Sequence, residues 1–274
     1  MYSLNAWFEN FLFGSDGRFN SGGRVVTVIG SGGKTSLIWR LAAGLSRAAG
    51  KKPAAPPAPG VKVLVTPTTK MLVPPQEAKL YDRSFISGEL PPCPEPGVTL
   101  AGIFNEANGK LESFSPDKLE KLIRGYDLVL IEGDGSRGLP LKAWAESEPV
   151  VPSFTDITIG MLPLAPIGKP ASESLVHRLP LFTELTGAIP GEPVKPEHIL
   201  ALITGRADRK DATPLPGLFT KAQGKKLLFF NQAEDDGALT LARELVKNLS
   251  TELKNSLCGI TAGSVRDDWA AELP

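Results

Sequence analysis

Arg24-Val25-Val26-Thr27-Val28-Ile29-Gly30-Ser31-Gly32-Gly33-Lys34-Thr35-Ser36-Leu37 is the stretch on which the reading of this chain turns. Its first half is β-branched and almost uninterrupted, as expected of a central parallel strand covered on both faces. Its second half is a glycine loop that opens a helix predicted over Thr35–Ala49, where Leu37, Ile38, Leu41 and Leu45 form an apolar stripe. Strand, glycine loop and helix in that order form the setting of a phosphate-binding loop. Glycines let several main-chain N–H groups of Gly30, Ser31, Gly32 and Gly33 turn toward one anion. Lys34 would reach the outer phosphates as a point charge, and the Thr35 hydroxyl is placed for Mg²⁺, with Ser36 beside it in the first helical turn. The loop is G-x-x-G-K-T, two residues shorter than GxxxxGK[ST], because Val28 stands where that pattern needs glycine. The short form is similar to the loop of Mur-type ligases. The competing reading is a glycine turn whose Lys-Thr merely begins a helix.

Working outward, Val61–Val65 reads as a second strand, ending at Thr66-Pro67-Thr68-Thr69-Lys70. Strand candidates follow at Val98–Phe104, Asp127–Ile131, Asp156–Leu162, Ile199–Thr204 and Lys226–Phe230, with helices at Pro116–Arg124 and Asp236–Leu253. Leu4, Trp7, Phe8, Phe11 and Leu12 recur at helical spacing, which predicts a short amphipathic helix packed on the body of the protein. Strands alternating with helices imply an α/β fold, P-loop NTPase-like, with a mostly parallel sheet flanked by helices. We expect a single domain over residues 1–274. Gly14–Gly23 reads as turns, Lys51–Gly60 with its four prolines as an exposed connector, and 71–96 as an irregular Pro-rich surface excursion.

The Asp127–Ile131 strand delivers Glu132 and Asp134 to the sheet edge where ligands bind. Alternation along an extended segment lets both acids point to one side, one toward Mg²⁺ and the other toward an attacking water. Arg137 could neutralise γ-phosphate charge. The alternative is a polar turn in which Asp134 satisfies local N–H groups. Thr66, Thr68, Thr69 and Lys70 suit a phosphate sensor, or equally a helix N-cap. Asn231-Gln232-Ala233-Glu234-Asp235 is similar in position to the N-K-x-D segment of GTP-binding proteins, which makes Asn231 and Asp235 candidates for the purine side. Their other reading is a strand-end amide and a helix-capping acid. His177-Arg178 could bind an anion or be an ordinary packing pair.

Over 274 residues the chain carries 30 Lys+Arg against 30 Asp+Glu, a formal net charge of zero, with 42% hydrophobic and 22% charged residues. That composition excludes wholesale disorder and gives no nucleic-acid footprint. The two cysteines, Cys93 and Cys258, have no histidine companions at metal spacing, so neither a disulfide framework nor a zinc site is expected. No apolar run approaches the ~20 residues of a membrane span, and the N-terminus lacks a basic leader. A cytoplasmic location is the expectation, with no membrane partner.

Six segments resemble the YqeC family: VVTVIGSGGKTSL (25–37), VTPTTKMLVPP (65–75), LIEGDGSRGLPLKA (130–143), EPVVP (148–152), VHR (176–178) and FNQAED (230–235). They occur in order across most of the chain. The family consists of accessory proteins associated with selenium-dependent molybdenum hydroxylases, with a P-loop-like α/β architecture. The glycine loop implies nucleotide as ligand, and the resemblance implies a molybdenum hydroxylase or its cofactor-maturation proteins as partner. Pro67 stands where the family commonly has threonine and Gly133 where alanine is common. Pro67 removes a hydroxyl and a backbone donor from the threonine cluster. The expected activity is binding and slow hydrolysis of Mg²⁺ with ATP or GTP in a maturation step. Alternatives are an ATP-dependent ligase or kinase acting on a small acceptor, and a non-catalytic nucleotide switch.

Overall fold

The computed structural model describes residues 2–13, 24–48, 60–206 and 215–274. The turn-rich 14–23 and most of the proline connector, 51–59, lie outside the described residues. In chain order the helices are α1 (Leu4–Phe13), α2 (Lys34–Ala48), α3 (Pro116–Leu122), α4 (Leu179–Thr186), α5 (Pro196–Thr204), α6 (Asp236–Asn248) and α7 (Thr251–Ser256). The strands are β1 (Arg24–Gly30), β2 (Lys62–Pro67), β3 (Lys70–Leu72), β4 (Arg83–Phe85), β5 (Gly97–Ala101), β6 (Ile103–Asn105), β7 (Lys110–Glu112) and β8 (Leu128–Glu132). They continue with β9 (Leu141–Lys142), β10 (Ile157–Pro163), β11 (Val176–His177), β12 (Lys225–Asn231), β13 (Gly259–Ser264) and β14 (Trp269–Glu272).

Nine strands form one sheet in the order β14-β13-β12-β10-β1-β8-β2-β5-β4. All its pairings are parallel except that of β13 with β14. Strand β1 lies at the centre because its side chains are apolar on both faces. Val26 and Val28 pack with Leu4, Phe8, Leu37 and Leu41 under α1 and α2. On the other face Ile29 joins the core beneath α4, α5 and α6, and Val25 joins the cluster around α3. The chain thus has the mostly parallel α/β architecture that its sequence implies.

Several elements differ from the sequence reading. Ile199–Thr204 is not a strand but the end of α5, where Pro196 occupies a first-turn position that costs the helix no hydrogen bond. A run of five apolar residues and a threonine carries no period long enough to separate the two structures. The 71–96 excursion is more regular than expected. Residues 70–72 (β3) pair with β7 in a small antiparallel sheet, a short 3₁₀ turn spans Gln76–Ala78, and β4 is an edge strand of the main sheet. The last predicted helix is two: α6 ends at Asn248, and Ser250 caps α7 by accepting the Leu253 N–H. Val98–Phe104 is likewise split into β5 and β6, while β13 and β14 extend the sheet beyond the predicted strands.

Helix α1 holds to the body through Phe8, which has no solvent exposure and packs edge-on against Trp7 at 4.9 Å. Phe8→Ala should lower unfolding free energy by about 3–5 kcal/mol, the usual cost of emptying a buried aromatic site. Urea denaturation of the two proteins measures it.

Candidate functional site

Parallel pairing sets the site. Val28 of β1 is in register with Glu132 of β8, so the glycine loop and the acidic loop leave the same sheet edge side by side. The glycine loop turns through left-handed conformations at Gly30 (φ 102°), Gly32 (φ 74°) and Gly33 (φ 123°). A side chain would not fit at these positions. A Cβ on Gly30 would lie 2.0 Å from the Met161 carbonyl oxygen, on Gly32 2.4 Å from Pro163, and on Gly33 2.5 Å from the Asn231 amide nitrogen. The loop is therefore pressed down onto β10 and β12, with its outer side turned away from them.

Its amides divide into two groups. The Gly30 N–H donates to Asp134, at 3.0 and 3.1 Å from the two oxygens, and the Ser31 N–H donates to the Met161 carbonyl at 3.0 Å. By contrast, the N–H groups of Gly32, Gly33, Lys34, Thr35 and Ser36 meet no protein acceptor among the described residues. Five successive uncommitted donors at the start of α2 form a nest for an anion, reinforced by the positive end of the helix dipole. The Ser31 hydroxyl is also buried without a partner, as are those of Thr66 and Thr69 at the end of β2. Buried hydroxyls left unpaired are costly, and of these three Ser31 belongs to the loop itself.

Lys34 is 4% exposed; its ammonium donates to the Gly30 carbonyl at 2.7 Å and lies 3.3 Å from Asp134. Thr35 donates its hydroxyl to Glu132 at 2.8 Å. Burial pushes the Glu132 carboxyl above the usual carboxylate range, against the attraction of Lys34 and the Thr35 hydrogen bond. Hydroxyl and carboxylate are thus in direct contact at the start of α2. No cluster of three or more His, Cys, Asp or Glu side chains that could hold a metal occurs among the described residues. Mg²⁺ needs no such cluster when phosphate and water supply most of its oxygens.

Asp134 has a different setting. It is fully buried, and besides Gly30 and Lys34 it accepts hydrogen bonds from Lys142 (3.1 Å) and the Trp144 indole (2.7 Å). Its lone pairs are spent inside the protein, so it braces the loop instead of facing a metal or water. Lys142 continues to the Gly135 carbonyl (2.8 Å) and Glu148 (2.9 Å), and Glu148 to Arg178 (2.6 Å). Lys142, Trp144 and Glu148 were missed as site residues. The one sequence signal was that two of them lie in the quoted LPLKA and EPVVP segments.

The remaining candidates spread out. Thr68 spends its hydroxyl on the Val150 carbonyl (2.6 Å), and Lys70 pairs with Glu112 away from the loop. Arg137 is exposed, outside the loop. Asn231 lies beneath the loop, donating to the Gly32 carbonyl (2.7 Å) and accepting the Val265 N–H (3.0 Å). Asp235 caps α6 through the Ala238 N–H (2.7 Å). From Gly33, Thr35 and Ser36 an open groove of about 1430 Å³ runs along Trp39 and Arg40 to Gln232, Glu234, Ser264 and Arg266.

A family model described as "YqeC protein" matches residues 26–180. The chain belongs to the YqeC family. The uncharacterized protein YqeC of Escherichia coli (strain K12) is similar to it, 32% identical over 189 residues that cover 65% of this chain and 67% of that protein. No solved structure matches the chain. The span shared with the YqeC model begins in β1 and ends just past Arg178, so it contains the loop, both acids and every member of the charge row that starts at Lys34. No helix among the described residues is long and apolar enough to cross a membrane.

Two outcomes test this geometry. Asp134→Asn leaves two lysines without their shared carboxylate and should cost about 3–5 kcal/mol of stability by denaturant titration, as for other broken buried ion pairs. The second concerns Glu148. Burial alone would raise its pKa, but the Arg178 hydrogen bond and Lys142 overcome that and hold it at about 2, below its ordinary 4.5. A depressed acid contributes stability above its unfolded pKa and loses it as pH falls from about 4.5 toward about 2. Glu148→Gln should therefore be less stable than wild type at neutral pH, with the gap closing through that window in thermal melts.

Proposed function

We propose that this YqeC-family protein is a P-loop-type nucleotide-binding protein that binds ATP or GTP with Mg²⁺ and hydrolyses it slowly. The observation that carries this reading is the run of five uncommitted amides, Gly32 to Ser36, with the Lys34 ammonium held at the Gly30 carbonyl, at the carboxyl edge of a parallel sheet. The β- and γ-phosphates would rest on these amides, and Lys34 would exchange its Gly30 carbonyl contact for phosphate oxygen. Thr35 and Glu132 would hold Mg²⁺, which when bound neutralises phosphate charge and draws electron density from the scissile bond.

The chain's own groups do the rest. Glu132 is the one acid facing the loop whose oxygens are not all committed to the scaffold, so it is the group to orient an attacking water. Asp134 keeps the Gly30 amide and Lys34 in place. Asn231 anchors the loop from below, and the nucleoside would extend along the groove toward Gln232 and Glu234. The Glu234 carboxylate pairs with Arg266 at 2.9 Å across the end of that groove, where purine-edge donors and acceptors would meet them. In its cellular setting this activity would drive a maturation step on a molybdenum hydroxylase or its cofactor, the role implied by the family resemblance.

A thermal-shift panel of ATP, GTP, ADP and GDP, with and without Mg²⁺, tests the proposal directly. A ligand at a hundred times its Kd should stabilise the fold by about 2.7 kcal/mol, read as a rise in Tm. Lys34→Ala should abolish nucleotide binding by calorimetry, and Thr35→Ala should remove the Mg²⁺ dependence while leaving weaker nucleotide binding. Unchanged affinity in Lys34→Ala would eliminate the phosphate-loop reading.

A further inference from the structure

Five side chains, Lys34, Asp134, Lys142, Glu148 and Arg178, form a continuous row, buried from Lys34 to Lys142 and partly exposed at Glu148 and Arg178, with successive contacts of 3.3, 3.1, 2.9 and 2.6 Å. Their charges alternate, and a cation stands at each end. Three cations against two carboxylates leave one positive charge in excess, in a chain whose formal net charge is zero. One end of the row is the glycine loop. The other end is Arg178, next to His177; Arg137 stands two residues past Gly135, whose carbonyl accepts from Lys142 (2.8 Å), the strand partner of His177.

We propose that Arg137, His177 and Arg178 form a second anion site, which takes an acidic small molecule through a phosphate or carboxylate group. Arg178 is fixed by one nitrogen only: Nη1 donates to Glu148 and to the Ala143 carbonyl (3.2 Å), and Nη2 and Nε meet no acceptor among the described residues. Its side chain is a quarter exposed (25%), so the unused edge of the guanidinium reaches solvent. An anchored guanidinium with a free edge is suited to two-pronged recognition of carboxylate or phosphate. Arg178 also stands at the N-cap of α4, which has no side-chain cap and no acid in its first turn. Pro180 has no N–H, and those of Leu179 and Leu181 meet no acceptor among the described residues. An anion here would therefore face main-chain donors as well as the guanidinium.

His177 is held against this cluster by β11, which pairs it with Lys142 of β9. Burial, and then the charges of Arg178, Lys142 and Arg137, lower its pKa to about 4. At neutral pH it is an uncharged N–H donor, which adds a directional contact without adding repulsion. Arg137 completes the set. It is exposed, sits in a left-handed turn (φ 54°), and makes no ion pair among the described residues.

The test uses the full chain and two probes, inorganic phosphate and malonate, titrated by calorimetry against wild type, Arg137→Gln, Arg178→Gln and Lys34→Ala. Saturable binding of one or both probes is expected, weakened about tenfold in Arg137→Gln, which corresponds to the loss of one charged contact. Tighter phosphate than malonate assigns a phosphorylated ligand; the reverse order assigns a carboxylate. Arg178→Gln should weaken binding at least as much. Should it unfold, Arg137→Gln, altered only at an exposed side chain, still decides the matter. Equal affinity in wild type and Arg137→Gln overturns the proposal, as does a failure of wild type to bind either probe. Phosphate binding lost in Lys34→Ala and intact in Arg137→Gln belongs to the glycine loop and also overturns it. Arg137-dependent anion binding in a protein that ignores all nucleotides would support this site and sink the nucleotide reading instead.

Discussion

The site depends on where one carboxylate goes. Asp134 is sealed from solvent and simultaneously meets a main-chain N–H of the glycine loop, two lysine ammonium groups and an indole N–H. An ionised group in such a place is tolerable only when it is saturated with hydrogen bonds, and this one is. Remove it and the Gly30 amide, Lys34 and Lys142 lose their common acceptor together. Its burial thus fixes the first residue of the loop to the strand beside it. The N–H groups from Gly32 onward, which Asp134 does not reach, are left for something else.

Topology makes that economical. In a parallel sheet, neighbouring strands release their loops at the same edge, so β1 and β8 bring a glycine turn and an acidic turn together without any dedicated structure. The two acids, spaced two residues apart, both arrive at the loop but take separate jobs. Glu132 reaches Thr35 at the start of α2, while Asp134 drops beneath Lys34. The difference is depth. Glu132 is still a strand residue facing the helix start, and Asp134 follows Gly133, where a Cβ would come within 2.8 Å of the Ile29 and Thr27 side chains. Glycine at that position lets the acidic loop lie flat on β1.

Much of this could be read from residues alone, because the features involved are local. A β-branched run, a glycine turn and an apolar stripe at helical spacing each report on their own few residues. The pairing of Gly30–Thr35 with Glu132 and Asp134 was also legible, since strand ends in α/β folds share an edge. What could not be read was how each polar group is satisfied. Nothing local announces that Lys142 and Glu148 turn inward, because a lysine in a two-residue strand has the sequence appearance of a surface residue. Asn231 and Asp235 fit a base-reading pattern by position, yet one supports the loop from below and the other caps α6. Amides and short acids serve as caps and braces with the same spacing that they use as ligands. Ile199–Thr204 differs for a simpler reason: five apolar residues and a threonine are too short a run to show a period, and the proline that marks the helix start lies just before them.

The charge row has a consequence for how the two ends of the site behave. A chain of alternating charges in a low-dielectric interior is satisfied pairwise, so each carboxylate shares its attraction between two cations. An anion that draws Lys34 away from Asp134 leaves that carboxylate more fully to Lys142. Lys142 then gives less to Glu148, and Glu148 holds Arg178 more closely. The loop and the grip on Arg178 are therefore connected through three side chains, Asp134, Lys142 and Glu148. The sign follows from the alternation: a cation leaving one end tightens the hold on the cation at the other. The guanidinium edge that Arg178 turns to solvent is not the one held by Glu148, so a closer hold by Glu148 fixes that edge in place without occupying it.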